Sequence, residues 1–168
     1  MSETGDIRLT PVADGLSATE VEAIDEAVRA VPHARAAGIE ALLVVQAERG
    51  WVSDPALAAV AAHLGMPVTE LDGVATFANL VFRRPVGRHV ILLCDSVTCH
   101  LLGAQALRES LSARLGIRPG ETIPDDRFTL LPIVCLGACD RAPTMMIDRD
   151  LIGDLRTERL DVILEDYP

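Results

Sequence analysis

The chain has no lysine. All fifteen basic residues are arginine, against 25 aspartates and glutamates, for a formal charge of −10. The arginine bias reads as genome composition. The acidic balance bears on function, because nucleic-acid phosphates need a basic face and this sequence cannot assemble one. Long apolar runs are also missing. The longest, such as Ile91–Cys94 and Ala41–Val45, fall far short of the ~18 apolar residues a bilayer span requires, so no direct membrane insertion is expected. The opening MSETGDIRLT carries neither the apolar segment of a secretory signal nor the Arg-rich, acid-poor character of a transit peptide. The expected location is therefore cytoplasmic. Cysteine is scarce, with four in 168 residues.

Those four are not scattered. Cys94-Asp-Ser-Val-Thr-Cys99 encloses four residues between its thiols, and Cys135-Leu-Gly-Ala-Cys139 encloses three. In a cytoplasmic chain, paired cysteines point to metal or redox chemistry more than to structural disulfides. Thioredoxin-type exchange uses C-x-x-C, which neither pair has. Structural zinc usually takes gaps of two to four residues, most often two, so zinc stays open but off pattern. A [2Fe–2S] cluster needs four thiolates, two per iron, on loops long enough to wrap it, and these gaps suit it better. Gly137, between the second pair, allows a turn that aims N–H groups at sulfur. Ser96 and Thr98 are either hydroxyl donors to sulfur or solvated loop residues.

About half of the residues are apolar, enough for a packed core, and the length suits one large domain or two small ones. Residues 1–16 read as a polar tail. Residues 17–85 read as helical. Ser17 caps a helix with Glu20 in the capping-box position, and Pro32 ends it. Ala34–Arg49 forms a second helix, stopped by Gly50. Ser53 caps a third, Pro55–Leu64, and Thr69 opens a short fourth, Glu70–Phe77. Arg83 and Arg84 fall in a turn-rich joint whose default reading is solvated. Residues 86–168 change pattern. Strands are expected at His89–Cys94 and Phe128–Val134, with a helix from Leu101 to Leu115 between them. A hairpin of Thr144–Ile147 and Leu151–Asp154 follows, and Thr157 caps a last helix, Glu158–Glu165. Each cysteine pair begins where a strand ends. If the two strands are neighbours, both pairs leave one edge of the sheet. Cys99 would then lead into the Leu101 helix, whose dipole favours an anionic centre.

These motifs resemble those of the thioredoxin-like [2Fe–2S] ferredoxins, and more specifically of the small [2Fe–2S] subunits (E subunits) of NADH:quinone oxidoreductases. The likeness runs from about residue 17 to 168. It rests on Gly73-Val-Ala-Thr-Phe77, on Cys94 through Gly103, and on Cys135-Leu-Gly-Ala-Cys-Asp-Arg-Ala-Pro143. It implies an α/β fold in which an N-terminal helical bundle precedes a thioredoxin-like [2Fe–2S] ferredoxin domain. It implies one cluster ligated by Cys94, Cys99, Cys135 and Cys139. It also implies a non-catalytic electron-transfer role beside a flavoprotein subunit that binds FMN and NADH, with the assembly at the inner face of a bacterial membrane. Equivalent subunits serve NAD-linked formate dehydrogenases and hydrogenases, and a free-standing ferredoxin shuttle is the simpler alternative. Ala78 departs from the family, where Tyr often follows the Phe of the GVATF stretch. His100, His33, His63 and His89 are read as structural or surface residues, and Asp125 and Asp126 as a loop. In thioredoxin folds the proline at the place of Pro143 is commonly cis, which here would return Thr144 beside the sheet and close to the cysteine loops. The alternative is a trans proline that starts an edge strand.

Overall fold

The computed structural model describes residues 15–168, so all but the last two residues of the expected tail lie outside the described residues. The chain divides into two compact units, one ending at Arg84 and one starting at Pro85.

The first unit is four helices. α1 (Ala18–Arg29) starts with a complete capping box: Ser17 Oγ accepts the Glu20 N–H at 3.1 Å, and the Ser17 N–H donates to Glu20 Oε2 at 2.7 Å. The expected Ala34–Arg49 helix is shorter. Ala34–Ala37 forms a 3-10 turn capped by His33, and α2 runs from Gly38 to Arg49. Gly50, with φ +81°, ends it. α3 (Asp54–His63) is capped by Ser53, whose hydroxyl accepts the Ala56 N–H at 3.3 Å. α4 (Val68–Phe77) starts earlier than expected, with Pro67 rather than Thr69 at its N-terminus. Ile24, Leu42, Val45, Leu57, Val60 and Leu71 form the core. Beneath α1, the fully buried Glu20 carboxylate receives Arg49 Nε at 2.6 Å and Nη2 at 2.5 Å. Arg83 is not solvated. It pairs with Asp54 at 2.6 Å and Asp72 at 3.2 Å and donates to the Val52 carbonyl, fastening the end of this unit to its helices.

The second unit is built on a four-stranded sheet of order β2-β1-β3-β4. β1 (His89–Cys94) is central, which is why HVILLC is apolar almost throughout. It pairs parallel with β2 (Phe128–Ile133), from His89 opposite Phe128 to Cys94 opposite Ile133. It pairs antiparallel with β3 (Met145–Ile147), which turns through Asp148 into β4 (Asp150–Ile152), shorter than the expected strand. Between β1 and β2 lie a five-residue helix, α5 (Val97–Leu101), and α6 (Ala104–Leu115). The expected helix from Leu101 is thus two helices, parted at Gly103, which has φ +101°. α7 (Leu160–Glu165) enters through a 3-10 turn, without a side-chain cap from Thr157. Leu107, Leu111, Phe128, Leu130, Ile147 and Leu160 are buried together. The Ala142–Pro143 bond is cis, and the proline leads into β3, an interior strand rather than an edge. No helix among the described residues is long and apolar enough to cross a membrane.

Candidate metal centre

Because β1 and β2 are parallel neighbours and end in register, their chains leave the sheet at one edge. Cys94 is the last residue of β1. The Asp95 N–H still reaches the Ile133 carbonyl at 2.8 Å, and the chain then turns into α5. Cys99 lies inside α5, not at the foot of the longer helix, so the expected dipole of that helix is not delivered at Cys99. On the neighbouring strand, β2 stops at Ile133 rather than Val134. Cys135 follows two residues later in a loop, and Cys139 opens a 3-10 turn.

The two pairs differ in environment. Cys94 and Cys99 are buried, each 1% exposed, and their thiols meet each other. Cys135 and Cys139 are exposed. Burial alone would push the Cys94 thiol up. The Ser96 N–H, the Cys99 thiol, the Leu136 N–H and the Thr144 hydroxyl outweigh it and hold Cys94 below the ordinary cysteine value. Cys99 is raised, first by burial and then by Cys94, against the opposing pull of the Thr144 hydroxyl and N–H. The Leu136 contribution comes from the second cysteine loop, since Leu136 is the residue after Cys135. Gly137 donates its N–H to Cys135 Sγ at 3.3 Å. Its φ is +75° and a Cβ there would meet nothing, so the turn calls for glycine by conformation and not for lack of space.

The sequence offers the hydroxyls of Ser96 and Thr98 as candidate donors. The structure uses the Ser96 amide and brings in Thr144, whose Oγ1 lies 3.6 Å from Cys99 Sγ. His100 is exposed, and the other histidines serve elsewhere: His33 as a cap, His63 against Asp25, His89 against Asp148. Among the described residues, no three His, Cys, Asp or Glu side chains gather closely enough to hold a metal ion as they stand. The thiols form a buried pair and an exposed pair. Soft sulfur donors on two loops, with N–H and O–H groups aimed at the sulfurs, suit a thiolate-held metal centre of net negative charge. The donor set therefore fits an iron–sulfur cluster.

Comparison with known proteins agrees. The thioredoxin-like [2Fe–2S] ferredoxin family matches residues 24–168. The chain belongs to that family. Among these ferredoxins it is 51% identical over 152 residues to the NADH-quinone oxidoreductase E subunit of Escherichia coli (strain K12), covering 90% of this chain and 92% of the relative. The E subunit of Pseudomonas aeruginosa is 47% identical over the same shares. Among solved structures, a crystal structure of an NAD+-reducing [NiFe]-hydrogenase in the H2-reduced state superposes with a TM-score of 0.65 at 28% identity, over 78% of this chain and 22% of the hydrogenase chain. The fold is thus the thioredoxin-like ferredoxin fold preceded by helices.

Proposed function

We propose that this chain is the electron-transfer subunit of an NADH-oxidising complex of the NADH:quinone oxidoreductase type, and that Cys94, Cys99, Cys135 and Cys139 hold its [2Fe–2S] cluster. One observation carries the reading. The parallel pairing of β1 and β2 delivers both cysteine pairs to one sheet edge, in a chain half identical to E-subunit relatives over nine-tenths of its length. Such a cluster, when bound, supplies one-electron chemistry, and that chemistry belongs to the cofactor.

The chain's own residues do three things. The four thiolates ligate, two from each loop. The amides of Ser96, Leu136 and Gly137 and the hydroxyl of Thr144 donate to sulfur and offset its negative charge. Burial of Cys94 and Cys99 keeps water from one side, while Cys135 and Cys139 leave the other open. In the same two loops and the helix beside Cys99, Val97, Leu101, Leu102 and Val134 are all more than half exposed. Exposed apolar side chains of this kind suit docking of a protein partner.

The partner is a flavoprotein subunit that binds FMN and NADH. This chain binds neither nucleotide itself and works at the inner face of a bacterial membrane. The likeness to the NAD+-reducing hydrogenase chain favours a second reading, an equivalent subunit of such a hydrogenase. Purification of the tagged chain from its native cell tests both. Recovery with an FMN-containing subunit and membrane-embedded quinone-reducing subunits is expected. Recovery with a nickel subunit selects the second reading, and recovery alone would leave a free-standing shuttle.

A further inference from the structure

We propose that the Thr144 hydroxyl donates a hydrogen bond to the thiolate ligand Cys99 and thereby raises the reduction potential of the centre. The inference rests on the cluster reading given above.

Among the described residues, four polar or charged side chains are buried: Glu20, Ser53, Thr129 and Thr144. Three have ordinary partners. Glu20 holds Arg49, Ser53 caps α3, and the Thr129 hydroxyl meets Thr122 at 2.7 Å and the Gly87 N–H at 2.6 Å. Thr144 differs. It is 1% exposed, and among the described residues the one hydrogen-bond partner of its hydroxyl is sulfur, Cys99 Sγ at 3.6 Å. A buried hydroxyl without a partner is costly, so this one is committed to sulfur.

The backbone pins it there. The Thr144 carbonyl accepts the Cys94 N–H at 3.2 Å, and β3 takes up its register with β1 at the next residue, Met145 opposite Leu93. A free thiol could donate to Thr144 in return, but a metal-bound thiolate only accepts, so the hydroxyl must be the donor. A hydrogen bond to sulfur strengthens as sulfur gains negative charge. It therefore stabilises the reduced centre more than the oxidised one and raises the potential.

The test uses the full chain as wild type, Thr144→Val, Thr144→Ala and Thr144→Ser, in redox titrations followed by EPR. Valine keeps the shape and loses the donor, and serine keeps the donor. Thr144→Val is expected to shift the reduced-to-oxidised ratio at a fixed poise about tenfold toward oxidised, about 59 mV for a one-electron couple. Thr144→Ala should shift the same way, and Thr144→Ser should titrate with wild type. In D2O, an exchangeable coupling to the reduced signal should vanish in Thr144→Val and persist in Thr144→Ser. An unmoved or raised potential in a loaded Thr144→Val protein overturns this inference and leaves the cluster reading intact. So does a serine variant that moves as far as valine. If valine and alanine variants both lose iron while serine keeps it, the hydroxyl serves assembly, and the tuning role is overturned. A wild-type protein without acid-labile sulfide would overturn both.

Discussion

Cys94 stands opposite Ile133 in the parallel ladder, and Ile133 is two residues short of Cys135. The two cysteine loops therefore start side by side although Cys135 follows Cys99 by 36 positions. Each of the four thiolates then counts. Replacing Cys94, Cys99, Cys135 or Cys139 singly with Ala should reduce iron content to background, because one iron then lacks one of its two thiolates and the cluster is no longer held at all four corners. Serine should be milder, since its oxygen is a weak ligand. Full iron content in Cys139→Ala would show that the ligand assignment is wrong.

The Glu20–Arg49 pair should matter to the helical unit and not to the centre. Burial alone would push the Glu20 carboxyl up, but Arg49 and the Ser17 N–H outweigh burial and hold it below the usual range. Glu20→Ala leaves the mostly buried guanidinium without its counter-charge, at an expected cost of about 3 kcal/mol. A lowered folded value stabilises above the unfolded value and is lost as pH falls through it. The gap in thermal midpoint between wild type and Glu20→Ala, read by circular dichroism, should thus be full above about pH 5 and narrow below the ordinary Glu value of about 4.3. A gap that widens in acid would contradict this.

Gly87 lets two backbone segments meet. A Cβ there would lie 2.8 Å from the Asp126 carbonyl oxygen and 3.1 Å from the Phe128 carbonyl carbon, and neither backbone can yield cheaply. Gly87→Ala should cost about 1–3 kcal/mol, seen as faster amide exchange along β1. Exchange at the wild-type rate would refute it.

A chain beginning near Val86 keeps its own core and all four cysteines. It should still take up iron and sulfide, yet fail to co-purify with the flavoprotein subunit proposed as its partner. Normal docking of that fragment would assign the helices another task.

Much of the site was legible because it is local. Within each cysteine pair, the spacing and the strand end lie a few residues apart, as does the glycine inside the second pair. The caps Ser17 and Ser53 were legible for the same reason. What escaped depends on distant partners. The analogy that made Pro143 cis did bring Thr144 close to the cysteine loops, but its contact with the Cys99 sulfur, 45 residues away through the β1–β3 register, carries no local signal. The role of Arg83 depends on Asp54 and Asp72, carried by other elements. α5 is only five residues long, too short for periodicity to declare itself, and Gly103 was needed to part it from α6. At Gly38 the close approach of Leu71 marks where the 3-10 turn gives way to α2, a contact the helical pattern does not contain.

Iron and acid-labile sulfide analysis of the purified full chain, followed by EPR after dithionite reduction, tests the central claim most directly. The account predicts a red-brown protein with two irons and two sulfides per chain, the stoichiometry of one [2Fe–2S] cluster on four cysteines, and an S = ½ signal on reduction. A colourless protein holding one zinc, with no sulfide and no such signal, would contradict it.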